Sequence, residues 1–210
     1  MNIIYLFDPL CGWCYAAAPV VRALAEHGSV QPYATGLFAD TGRMMDDAFA
    51  AHAWRNDQRI QTLTGQPFSE TYRTQVLQQP APFDSRALTD AVFALLQQQP
   101  TQWPAALAAL QHARYVGGRD TSHTDTVRQV LHENGFTEAA ATFDTPENRA
   151  ASTAWIQQGQ TLMQQLGLRG VPQLVVQLPQ GYAVLPSEIV YGRPEDAAAA
   201  VAQLIADCSA

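Results

Sequence analysis

Apolar and polar positions divide this chain into three blocks. Residues 1–40 carry four charged side chains and residues 166–192 carry two, whereas residues 41–165 carry 21. Ile3-Ile4-Tyr5-Leu6-Phe7 is an unbroken β-branched and aromatic run that stops at Asp8-Pro9, the pattern of a strand buried on both faces. From Cys14 to Glu26, Ala17, Val20, Val21 and Leu24 recur at i, i+3, i+4 and i+7, which predicts a helix closed by Gly28. Val30 to Phe38 predicts a second strand, and Pro32 within it points to an edge or a bulge. In the last block, Leu174-Val175-Val176 and Tyr182-Ala183-Val184-Leu185 flank Pro179-Gln180-Gly181 and predict a hairpin. Pro194, followed by Glu195 and Asp196, predicts the start of a final helix.

The middle block reads as helices. The spacing predicts them over 46–64, from an Asp84 cap to before Pro100, over 103–116, over 124–134 and from Thr145 to Leu166, with glycine stops at Gly65, Gly117, Gly135 and Gly167. No repeat period joins them, which excludes a solenoid. The order strand, helix, strand, several helices, strand, strand, helix predicts an α/β protein. Residues 1–40 and 166–210 together would form one mixed sheet with helices on both faces, and 41–165 an inserted helical domain at its side.

Composition narrows the chemistry. The chain has 210 residues, 47% apolar and 15% charged, enough to bury a core without staples. Net charge is −7 and every cation is arginine, so lysine Schiff bases and P-loop lysines are excluded. An acidic chain with scattered arginines argues against nucleic acid as a partner. No apolar span of about 20 residues and no charged leader are present, so the expectation is a cytoplasmic protein with no membrane partner.

Cys11-Gly12-Trp13-Cys14 directly follows the first strand and opens the first helix. Two thiols on one helical turn can close a small disulfide. The first sulfur sits where free N–H groups and the positive helix end favour thiolate, so its pKa falls below about 8.5. Thiolate attack and resolution by the second cysteine make a dithiol–disulfide exchanger. Gly12 keeps the approach open and Trp13 offers an apolar surface to substrate. The competing readings are half of a zinc site and a structural disulfide. Zinc wants four ligands, and none of the five histidines nor Cys208 stands at ligand spacing. No metal is therefore expected. Cys208 reads as a bystander, Trp54, Trp103 and Trp155 as packed residues, and Met44-Met45 as gap fillers.

A longer pattern follows from these motifs. Phe7-Asp8-Pro9-Leu10-Cys11-Gly12-Trp13-Cys14-Tyr15 is the most specific part, and Gly36-Leu37-Phe38 and Leu63-Thr64-Gly65-Gln66-Pro67-Phe68 continue it. Tyr115-Val116, Gly118-Arg119-Asp120 and Leu166-Gly167 running into Gly170-Val171-Pro172 complete it. Over nearly its whole length the sequence resembles the DsbA-like branch of the thioredoxin superfamily, in particular its cytosolic FrnE-type members. The resemblance implies a thioredoxin fold with a helical domain inserted after the second strand, and protein disulfide reductase or isomerase activity. It implies that Cys11 is the nucleophile, Cys14 the resolving thiol and Pro172 a cis proline beside them, with the Val171 backbone pairing to an incoming peptide. Pro19, five residues after Cys14, matches the proline that bends thioredoxin-type helices.

The implied partners are protein or peptide thiols and disulfides, with glutathione a candidate reductant and no cofactor beyond a redox-active Cys11–Cys14 disulfide. Three positions depart from the pattern. Tyr5 stands where many thioredoxins carry a buried acid, Asp8 is the nearest carboxylate in sequence, and Gln173 replaces a frequent threonine. The dipeptide lacks the histidine of strongly oxidising members. Two alternatives remain: a glutathione-dependent kappa-class transferase or hydroxychromene-carboxylate isomerase, which typically has serine at position 11, and a non-catalytic redox sensor.

Overall fold

The structure is a computed structural model that describes residues 2–209; residues 1 and 210, the ends of the predicted outer block, lie outside the described residues. Its sheet has four strands, β1 (Asn2–Phe7), β2 (Ser29–Ala34), β3 (Gln173–Leu178) and β4 (Gly181–Val184), in the order β2-β1-β3-β4. Between β1 and β2 runs α1 (Gly12–His27), and β2 pairs parallel to β1. The predicted hairpin is β3–β4, and β3 runs antiparallel to β1 with Leu6 opposite Gln173. That register carries the functional consequence: the chain leaving β1 towards Cys11 lies beside the chain entering β3 from Pro172. Pro32 lies in β2, an edge strand of this sheet, where a missing N–H is tolerated.

Between β2 and β3 stand α2 (Asp47–Thr64), α3 (Glu70–Tyr72) running into a wider π turn at Arg73–Leu77, α4 (Arg86–Gln98), α5 (Trp103–Tyr115), α6 (Thr124–Glu133), α7 (Thr137–Thr142) and α8 (Pro146–Gln165). After β4 come α9 (Ser187–Val190), a tight turn at Pro194–Asp196, and α10 (Ala197–Ser209). Local chemistry sets the boundaries. Asp46 accepts from the Phe49 N–H at 2.8 Å to cap α2, and Gly65 ends it at φ 74°. Thr145 caps α8 through the Asn148 N–H.

The structure corrects several boundaries. α1 begins at Gly12 rather than Cys14, because Cys11 already takes the extended N-cap conformation. β2 ends at Ala34 rather than Phe38: the Thr35 N–H still bonds to Phe7 O, and then Gly36 turns the chain at φ 63°. α3, α7 and α9 are too short to show a helical period and were not predicted.

The core explains how the helical segment is fastened. Ile3, Tyr5 and Phe7 of β1 are buried, and Tyr5 stacks on Phe7 with centroids 4.8 Å apart. Trp103 and Trp155 close over these rings from α5 and α8, as packed tryptophans. Trp155 Nε1 donates to Pro32 O at 3.1 Å. A Cβ on Gly159 would lie 2.2 Å from Ala34 O, so α8 rests backbone to backbone on β2. Burying rings of this size stabilises by roughly 1.5–3 kcal/mol each. Met45 is buried as a gap filler, but Met44 is exposed.

Candidate active site

Cys11 is the N-cap of α1 and Cys14 lies one turn inside it. Cys14 is fully buried, whereas Cys11 retains 7% of its surface. The sulfur at the helix N-terminus is thus the less buried of the two, but it is nearly closed as well. The reason is a cover supplied from two sides. On one side is the segment before β3: the Val171–Pro172 peptide is cis, and the Cys11 thiol points at Val171 O at 3.8 Å. On the other side the inserted helices wall a cleft of about 190 Å³ over Cys11, Gly12 and Trp13. Both cysteines are free thiols.

The two sulfurs titrate in opposite directions. The Cys14 thiol donates to Cys11, and the N–H groups of Cys14 and Trp13 turn towards the same sulfur, which lowers the Cys11 pKa against the opposing effect of burial. Burial pushes the Cys14 thiol up, and contact with Cys11 adds to this. The surroundings thus favour the thiolate at Cys11 relative to Cys14. In a Cys208→Ser background, iodoacetamide at neutral pH is expected to alkylate Cys11 about tenfold faster than Cys14. Equal rates, measured by peptide mass spectrometry, would contradict this assignment.

Trp13 lies between two aromatic or cationic neighbours rather than facing solvent alone. Its ring centroid is 5.3 Å from that of Tyr191, and the Arg59 guanidinium of α2 lies 5.9 Å above it. Pro172 leads into β3, and the side chain of Gln173, the first residue of that strand, donates back to Arg169 O and Gly170 O. Tyr5, at the position where many thioredoxins carry a buried acid, donates to Cys14 O at 3.4 Å. Asp8 is fully buried and accepts three bonds, from the N–H groups of Leu10 and Phe38 and the Ser85 hydroxyl. Burial nonetheless pushes its carboxyl up to about 6.

The loop carrying Cys11 is held by the insertion. Tyr115 of α5 donates to Leu10 O at 2.8 Å, and Gln111 donates to Pro9 O at 3.2 Å. Tyr115 also stacks on Tyr15 of α1 at 4.7 Å. Further out, α2 presents His52, Asn56, Asp57 and Ile60 to the cleft. Sequence reading gave none of these a role. Asp57 carried a usable signal: Ala50, Asp57 and Ile60 are the buried positions of α2, so an acid occupies a place where the helical period asks for an apolar side chain. Cys208 is exposed on α10, away from the cleft. Among the described residues no group of three or more His, Cys, Asp or Glu side chains could hold a metal ion, and no helix is long and apolar enough to cross a membrane.

The family of this arrangement follows from comparison. The model of the DSBA-like thioredoxin domain matches residues 2–190. The chain belongs to that family. No curated protein sequence matches it significantly. Among solved structures it is similar to the cytosolic disulfide reductase DsbM from Pseudomonas aeruginosa, at 30% identity and TM-score 0.87, with 98% of both chains covered. The same protein solved with GSH aligns at 30% identity and TM-score 0.86, covering 98% of this chain and 99% of that one. A 2-hydroxychromene-2-carboxylate isomerase structure shares the fold at 16% identity and TM-score 0.58, with both chains fully covered.

Proposed function

We propose that this DsbA-like protein is a cytosolic thiol–disulfide oxidoreductase that reduces disulfides with the Cys11–Cys14 pair. The observation that carries the reading is the opposed preparation of the two sulfurs. Cys11 is the less buried, with its thiolate favoured, and Cys14 is sealed beneath it as a thiol. Cys11 attacks one sulfur of a substrate disulfide, forming a mixed disulfide and releasing the other sulfur. Cys14 then attacks Cys11, releasing the second substrate thiol and leaving the protein disulfide. Trp13, Val171 and Pro172 border the reacting sulfur and supply the substrate-binding surface. Small thiols return the pair to the dithiol form, and glutathione is the proposed reductant, in keeping with the GSH-bound relative.

The arrangement supports this reading over glutathione conjugation because a second thiol stands within reach of the first. A transferase or isomerase using glutathione needs no resolving cysteine. A dithiothreitol-driven insulin reduction assay, run beside a glutathione-conjugation assay, tests the choice. Insulin precipitation well above the uncatalysed rate, with no conjugation, is expected. Conjugation without insulin reduction would overturn the proposal in favour of the glutathione-dependent class. A titratable disulfide with no turnover in either assay would make the pair a sensor.

A further inference from the structure

Asp57 is an unusual occupant of the cleft. It is 5% exposed and sits among Phe68, Ile60 and the rings of Tyr72 and Phe83. Acids are almost never this buried without a cation in contact. One carboxylate oxygen, Oδ2, accepts the Tyr72 hydroxyl at 3.2 Å. The other, Oδ1, has no hydrogen-bond partner among the described residues and lies over the backbone of the Cys11–Cys14 loop. A Cβ built on Gly12 would stand 2.9 Å from it. Gly12 therefore leaves room for this carboxyl above the loop, and both Asp57 and Cys11 line the same cleft.

We propose that Asp57 is the general acid of the exchange reaction, donating its proton through Oδ1 to the thiolate expelled when Cys11 attacks a substrate disulfide. This rests on the oxidoreductase reading above. Asp8 cannot serve in this role: both its oxygens are occupied by three donors, and it is sealed from the cleft. The chemistry closes. The Cys11 thiolate forms a bond to the near sulfur of the substrate, and the substrate S–S bond breaks. The far sulfur departs with the electron pair, takes the Asp57 proton and leaves as a thiol, with Asp57 now a carboxylate. Cys14 next attacks Cys11, and its proton leaves with the second substrate thiol. When two small thiols reduce the protein disulfide, one of their protons returns to Asp57 and the other to Cys14, while Cys11 regains its charge.

The surroundings suit a carboxyl that keeps its proton up to near-neutral pH. The groups acting on it are Tyr72 of α3 and Arg114 and Tyr115 of α5, while Cys11 at the start of α1 and His52 on its own helix line the same cleft. The Arg114 guanidinium is directed to Asp120 at 2.9 Å and makes no ion pair with Asp57. Burial pushes the Asp57 carboxyl up to about 7, despite opposing contributions from the Tyr72 hydroxyl and Arg114. An ordinary aliphatic thiol titrates near 8.5, so transfer from Asp57 to the leaving sulfur is downhill.

Leaving-group dependence is the test. The reduced full-length protein is mixed with bis(2-hydroxyethyl) disulfide, whose leaving thiol is basic, and separately with 5,5′-dithiobis(2-nitrobenzoate), whose leaving thiol is acidic and needs no proton. Single-turnover rates are read by acid quench and mass spectrometry from pH 5 to 9. In the wild type the ratio of the first rate to the second is expected to fall as pH rises through about 7. In Asp57→Asn the ratio at pH 6 is expected to be at least about tenfold lower and independent of pH. Gly12→Ala, which displaces the carboxyl but keeps it, is expected to lower the ratio in the same way. Both rates come from one preparation, so partial unfolding lowers them together and leaves the ratio intact. A ratio identical in wild type and Asp57→Asn at every pH overturns the proposal. Absence of exchange with both disulfides in the wild type overturns the oxidoreductase reading itself, and the proposal with it.

Discussion

Cys14→Ser is expected to leave attack on disulfides intact and to abolish release, so that the purified variant carries covalent adducts on Cys11. The argument begins from distance and burial. Cys14 lies on the same helical turn as Cys11, under it and fully enclosed. A thiol held this way competes with free thiols at an effective molarity that intramolecular reactions place at roughly 10⁵ M or above. Serine cannot replace it, since a hydroxyl is a far weaker nucleophile towards sulfur. Turnover in insulin reduction should therefore fall by roughly two orders of magnitude or more. The adducts should be removed by dithiothreitol.

Cys11→Ser provides the opposite arm. With the attacking sulfur gone, the buried and more basic Cys14 thiol is expected to trap nothing. Cys208→Ser should match the wild type, because that thiol lies on α10, outside the cleft. Intact-mass spectrometry of the three proteins from cells decides the matter. Adducts that persist in Cys11→Ser, or that require Cys208, would remove Cys11 from its role.

What was readable in the sequence follows from how local each cause is. The Cys11–Cys14 spacing, the strand before it and the helix after it are contiguous, so their geometry could be anticipated. Gly170-Val171-Pro172 could be placed at a strand start, and its approach to Cys11 then followed from an antiparallel register that only the fold reveals. The long helices α2, α4, α5 and α8 carry enough turns for a period to appear, whereas α3, α7 and α9 do not. Cys11 is nearly buried because much of its cover comes from α2 and the insertion's aromatic rings, 38 or more residues away in sequence. Asp8 was visible as the nearest carboxylate, but its donors include Phe38 and Ser85, brought in by tertiary contact. That residues of α2, α3 and α5 wall the cleft was the part that local pattern could not supply.

Asp57→Asn is expected to stabilise the protein at alkaline pH and to do so far less in acid. In the unfolded chain the Asp57 carboxyl titrates near 4, and in the fold near 7. Between these values the folded state holds a proton that the unfolded state has lost, so stability rises as pH falls through the window. Above pH 7 the carboxyl is charged in both states, and the fold bears the full cost of a buried charge with no ion pair. A displacement of this size corresponds to roughly 3–4 kcal/mol between pH 4 and pH 8. Asparagine keeps the volume and can still accept the Tyr72 hydroxyl, but it does not ionise. The increase in Tm for Asp57→Asn should therefore be larger at pH 8 than at pH 5, at about 2–4 °C per kcal/mol for a chain of this length. Asp8, raised by burial to about 6, contributes a dependence of the same sign that the variant retains. Thermal unfolding of both proteins across this range tests the point. An equal shift in Tm at pH 5 and pH 8 would show that Asp57 titrates as an ordinary carboxylate, leaving it unprotonated when a thiolate has to be discharged. A larger shift at pH 8 would mean that the fold gives up stability to keep an ionisable group over Gly12, in the cleft that Cys11 lines, a trade found where a side chain serves chemistry rather than packing.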